Sequence, residues 1–192
     1  MKTAGPVEVR STFGGVELTG MQLGARVYSG NAPVTITDAG GEAWVENSFG
    51  LVSIQRAAGA VTVVNQNGAV RIEGARAGVN AKTSFGQLEV QGAGGPVDLT
   101  ANNGSITLIG LPAKCVPVAA RASFGAIRAT LPAGAGYDLS AATTFGKIKS
   151  DFELTVSPGS REDGRLEGKI SGGGCPLRLV NSNGSIEVLR GR

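Results

Sequence analysis

The chain has 192 residues, 41% of them hydrophobic, which is enough to build one domain with a sizeable core and argues against disorder. It has no histidine and only two cysteines, which excludes histidine triads and acid–base shuttles, four-thiolate metal sites and a disulfide framework; no cofactor is expected. A net charge of +3, spread along the chain, gives little ground for nucleic-acid binding.

No apolar run approaches membrane-spanning length. The opening Met1-Lys2-Thr3-Ala4-Gly5-Pro6 lacks the apolar stretch of a signal peptide. Gly accounts for 31 residues without a three-residue period, so a collagen helix is also excluded.

The first segment sets a pattern. Val7 and Val9 alternate with polar residues, Phe13-Gly14 follows, and Val16 and Leu18 alternate again. The same arrangement returns around Asn31, Phe49, Asn67, Phe85 and Asn103, with pairs such as Val34/Ile36, Val52/Ile54 and Val70/Ile72. It continues around Phe124, Phe145, Asp163 and Asn183. The intervals between these marks are 18, 18, 18, 18, 18, 21, 21, 18 and 20 residues.

A period of two predicts strands with one buried face, and no unit carries a helical period. A single unit cannot bury its apolar edge, whereas stacked units share a continuous core. The sequence therefore predicts an all-β chain folded as a parallel β-solenoid. It would have about ten coils, with like strands stacked about 4.8 Å apart. Residues 1–192 form a single domain on this reading, regular over 5–103 and looped over 104–192. A β-sandwich is the second choice, but it imposes no 18-residue register on its sequence.

The marks are expected to occupy one corner of every coil. Gly follows because the turn demands positive φ, Asn suits the corner by bonding backbone, and the Phe rings are expected to point inward and fill the core. Phe124 and Phe145 are then expected on consecutive coils, with their rings packed together. Counting coils in chain order puts Cys115 and Cys175 about 14 Å apart, too far for a disulfide. The chain opens on a second-type strand and closes on a first-type strand. This predicts open edges at both ends and head-to-tail association into filaments.

The phrases Asn47-Ser48-Phe49-Gly50, Leu131-Pro132-Ala133, Thr144-Phe145-Gly146-Lys147-Ile148 and Asn181-Ser182-Asn183-Gly184-Ser185-Ile186 resemble the adhesin family of bacterial cell-envelope proteins. The resemblance covers nearly the whole chain. It implies a right-handed solenoid at or beyond the cell envelope, with no catalytic residues to carry over.

Solenoids also host polysaccharide-cleaving enzymes, which need carboxylates clustered on one face. The outward column four residues after each mark brings two carboxylates together only at Glu167 and Glu187. The threonine ladder of antifreeze-type surfaces is broken after Thr35 and Thr37. Arg128, Lys147, Lys149 and Arg165 fall on adjacent coils in this count, and would together hold a polyanion such as an acidic envelope polysaccharide. Two insertions, at residues 111–117 and 131–137, are either binding loops or fillers of the core. The expected function is non-enzymatic: adhesion, scaffolding or self-assembly, with envelope polymers or further copies of the chain as partners. The alternatives are a filament-forming solenoid like the bactofilins and a carbohydrate-active β-helix enzyme.

Overall fold

Alternating aliphatic and polar residues commit each short segment to a strand with one dry face, and the Gly after each mark turns the chain into the next strand. In the computed structural model, which describes residues 5–155, 161–162 and 164–191, the units follow this rule, except that Ala32-Pro33 makes the turn after Asn31. The strands begin with β1 (Val7–Phe13), β2 (Val16–Met21), β3 (Gly24–Asn31), β4 (Val34–Ala39), β5 (Glu42–Phe49) and β6 (Val52–Ala57). They continue with β7 (Val61–Asn67), β8 (Val70–Ala75), β9 (Val79–Phe85), β10 (Leu88–Ala93), β11 (Val97–Asn103) and β12 (Ile106–Ile109). Next come β13 (Val118–Phe124), β14 (Ile127–Leu131), β15 (Tyr137–Phe145), β16 (Ile148–Ser150) and the two-residue strands β17 (Leu154–Thr155) and β18 (Arg161–Glu162). The last are β19 (Arg165–Ile170), β20 (Cys175–Asn183) and β21 (Ile186–Arg190).

The chain is a β-solenoid. The strands preceding the marks (β1 to β15 in odd numbers, and β20), together with β17, β18 and β19, form a 12-stranded sheet, and those following them (β2 to β16 in even numbers, and β21) form a 9-stranded sheet. Units up to β14 stack in parallel with strict registry, so that Val27 pairs Val45 and Val45 pairs Val63. On the opposite sheet Ile36 pairs Ile54 and Ile54 pairs Ile72. These side chains are fully buried in one continuous core. Burying each contributes about 1.5–3 kcal/mol.

Chain order and stacking order part company after β14. The strand β15 does not pair β13; β20 lies between them and pairs both in parallel. Likewise β21 lies between β14 and β16. The extra residues at 131–137 explain how the chain climbs two strand spacings, about 9.6 Å, and leaves a slot for a later segment. The insertion is a filler, with Leu131, Ala135 and Tyr137 all buried.

This threading corrects the expected separation of the two cysteines and the expected place of the closing strand. Cys115 and Cys175 form a disulfide, with Cα atoms 5.8 Å apart, because β20 stacks directly on the strand that Cys115 precedes. The closing strand β21 is not at an end of the stack, so the expected head-to-tail match between two open ends loses its basis. Beyond β15 the larger sheet instead turns antiparallel. There β19 pairs β15, and the short β17 and β18 pair β19. Phe152, 6% exposed, closes the core at this end. Such short edge strands offer little template to another chain.

Candidate functional site

The corner column exists as a register. Phe13 pairs Asn31, Asn31 pairs Phe49, and Phe49 pairs Asn67. Asn67 pairs Phe85, Phe85 pairs Asn103, and Asn103 pairs Phe124. Asn183 then pairs both Phe124 and Phe145. Alternation of Phe and Asn therefore continues to Phe145, because the inserted strand supplies the asparagine between two phenylalanines that are successive marks in the chain. Asp163 lies outside the described residues.

The rings do not point inward. Phe13, Phe49, Phe85, Phe124 and Phe145 are 77%, 51%, 55%, 54% and 71% exposed. The interior of the corner is already taken by the residue two positions earlier. Asn47, buried, donates its amide to the Phe49 carbonyl at 3.0 Å and reaches Asn65 Oδ1 at 3.3 Å. Asn65 donates to Gly50 O and Gly68 O at 3.0 and 3.1 Å. Thr143 Oγ1 donates to Gly184 O at 3.0 Å, and Asn181 Nδ2 to Gly125 O at 2.7 Å. Buried backbone carbonyls need partners, and a ring there would leave these without one. Local closeness enforces the following glycine as well. Gly50 and Gly86 have φ of +115° and +136°, and a Cβ on either would strike the backbone of the neighbouring coil.

The result is a convex edge with one ring on every second coil, about 9.6 Å apart. Asparagines stand between the rings. Asn103 Nδ2 donates to Ser84 O and Asn183 Nδ2 to Ser123 O, each at 3.4 Å. Outward residues just before the marks include Thr12, Ser48, Gln66, Ser84, Ser123 and Ser182. From one residue before each mark to two after, no charged residue occurs until Lys147, beside Phe145. Charge begins three residues before the marks, at Arg10, Glu46, Lys82 and Arg121, and four after them, as at Glu17, Arg71 and Glu89.

Tyr28 and Trp44 form a second aromatic feature, with ring centroids 4.8 Å apart. Arg10 lies over Tyr28 at 4.6 Å and Arg26 over Trp44 at 5.5 Å. A shallow cleft of about 290 Å³ adjoins Tyr28, lined also by Arg10, Thr12, Gly30 and Glu46. Sequence reading missed both rings, although the 18-residue register places Arg26 and Trp44 on neighbouring strands.

The four basic residues expected to share a patch do not gather. Arg128 Nε is paired with Glu187 Oε2 at 2.8 Å, and Glu187 stands in register between Arg128 and Lys149. Lys147 lies in the turn after Phe145. Arg165 belongs to β19 of the other sheet and pairs with Glu167 at 2.7 Å, which holds the Glu167 carboxyl below its usual range. Glu167 and Glu187, the two carboxylates expected to meet, therefore sit on different sheets. Elsewhere the outer faces carry exposed cross-strand pairs, such as Arg56–Asp38 at 2.6 Å and Arg71–Glu89 at 3.2 Å. Such exposed pairs contribute about 0–1 kcal/mol each.

Neither a protein-family model nor a curated protein nor a solved structure matches this chain.

Proposed function

We propose that the protein is a non-enzymatic adhesion or scaffolding module of the cell envelope, and that the Phe/Asn edge is its working surface. The carrying observation is the exposure of five of the six phenylalanines in one ladder, while only Phe152 is buried. Exposed large apolar rings cost solubility, and five of them aligned along one edge mark an interaction surface. The register keeps the rings in single file, so the row suits an extended partner better than a compact one.

An envelope or extracellular location is supported by the Cys115–Cys175 disulfide, since such bonds persist in oxidising compartments. The resemblance of the Ser-Phe-Gly and Asn-Gly-Ser-Ile phrases to bacterial envelope adhesins points the same way. The separation of Glu167 from Glu187 removes the one carboxylate pair that favoured a hydrolytic enzyme.

Retention of the purified chain on bacterial envelope fragments tests this reading. Wild type is expected to be retained and F49N/F85N/F124N to wash off. These substitutions place at Phe positions the residue that the column already holds on alternate coils. Equal retention of both proteins would contradict the reading.

A further inference from the structure

We infer that the edge binds an uncharged β-1,4-linked glycan lying along the solenoid axis, as in a cellulose- or chitin-type polymer. This rests on the reading of the edge as the working surface and names its ligand. Three observations carry it: spacing, alternation and charge.

Rings recur every second strand, about 9.6 Å. In a β-1,4-linked glycan successive sugars are flipped, so one sugar face recurs with each disaccharide, and the disaccharide repeat closely matches that length. Each phenylalanine then stacks on the same face of alternate sugars. An α-linked glucan coils and loses this match after one or two rings.

The intervening sugar falls over an asparagine. Asn103 commits one donor to Ser84 O and Asn183 one to Ser123 O. A side-chain amide has a second donor and an acceptor oxygen besides, suited to sugar hydroxyls. Hydroxyls of Thr12, Ser48, Ser84 and Ser123 flank the row.

Absence of charge along the edge as far as Lys147 selects a neutral polymer over an acidic one. The shape selects against a second copy of the chain. A standard protein interface buries about 800 Å² per partner over 20–30 residues, whereas two convex edges of single-file rings meet only along a line. A convex row fits instead onto a flat face of an ordered polymer, where many chains run parallel.

The test is co-sedimentation of the full chain with microcrystalline cellulose, with chitin and with amylose. Wild type is expected to sediment with cellulose or chitin, independently of salt, and far less with amylose. F49N/F85N is expected to bind at least about tenfold more weakly, as loss of two stacking contacts implies. Its circular dichroism and melting should match wild type.

Absence of binding to both β-1,4 polymers, unchanged binding by F49N/F85N, or equal binding to amylose would overturn the assignment. Phe-dependent self-association without polymer binding would overturn it in favour of a second copy. If envelope retention still depends on the phenylalanines while both β-1,4 polymers fail, the glycan assignment falls and the working edge stands. If retention is also indifferent to them, both fall.

Discussion

Phe124 and Phe145 are successive marks in the chain yet stand two strand spacings apart, because Asn183 pairs with both. That relationship ties the topology to the surface. Without the late insertion of β20 and β21, two rings would adjoin and the spacing of the edge would break at its end.

The exposed and buried phenylalanines should separate cleanly in stability. Phe85→Asn, at an exposed corner, is expected to change unfolding free energy by less than about 0.5 kcal/mol. Phe152→Ala, at a site 6% exposed beneath the antiparallel end, is expected to cost about 3–5 kcal/mol. Urea unfolding of the two variants decides this, and a large loss in Phe85→Asn would place its ring in the core after all.

Strands and register were legible because their causes are local. Valine and isoleucine at alternate positions fix the face, and the constant interval fixes the neighbour, as Val52 pairing Val34 and Val70 shows. The order of the last strands depends instead on a choice between partners. Val118 and Leu139 both present inner-face positions that Leu177 can pair, and Leu177 pairs both. Two signals did hint at it: consecutive phenylalanine marks where asparagine was due, and the lengthened segment before Tyr137. The outward rings escaped notice because strand alternation predicts an inward side chain at the mark. The amide of Asn47, bonded to the Phe49 carbonyl, occupies that space.

The disulfide should hold the inserted coil in place. It spans a sequence separation of 60 residues, and closing a loop of that size stabilises by about 4 kcal/mol in the chain-entropy description. Thiol titration of the native protein should find no free thiol. Cys115→Ser/Cys175→Ser should unfold at a markedly lower urea midpoint than oxidised wild type. Two titratable thiols in the native chain would contradict the stacking of β20 on β13.

Close stacking of turns makes some glycines irreplaceable for a reason other than φ. A Cβ on Gly104 would run into the carbonyl oxygen of Gly86, whereas at Gly134 nothing lies within 4 Å. Gly104→Ala should cost about 1–3 kcal/mol, as overpacking does, and Gly134→Ala should be near neutral. Thermal melting of both variants checks the contrast; equal melting points would mean that the turns are not stacked this tightly.

Stability should be flat from pH 5 to 8, since the chain has no histidine. Asp38 beside Arg56, and Glu167 beside Arg165, have carboxyl pKa values lowered chiefly by those hydrogen bonds. A lowered folded-state value means stability present above the unfolded pKa and lost as pH falls through the folded one. The acid loss therefore begins below about pH 4, and it should be small because both pairs are exposed. Burial raises the Tyr137 phenol, so its contribution is intact below the unfolded pKa of about 10 and is lost as pH rises toward the folded value. Urea midpoints from pH 3 to 11 should show this plateau with two falling limbs; a step between pH 5 and 8 would contradict it.

The most direct test of the working edge is an NMR titration of the intact chain with a soluble β-1,4-linked hexasaccharide. The account predicts amide shifts concentrated at the residues that follow the rings, Gly50, Gly86 and Gly125, and at Asn67 and Asn103 between them. Residues of the opposite sheet face, such as Thr35 and Ser53, should stay unmoved. Shifts that are absent, or that centre on that opposite face, would contradict it.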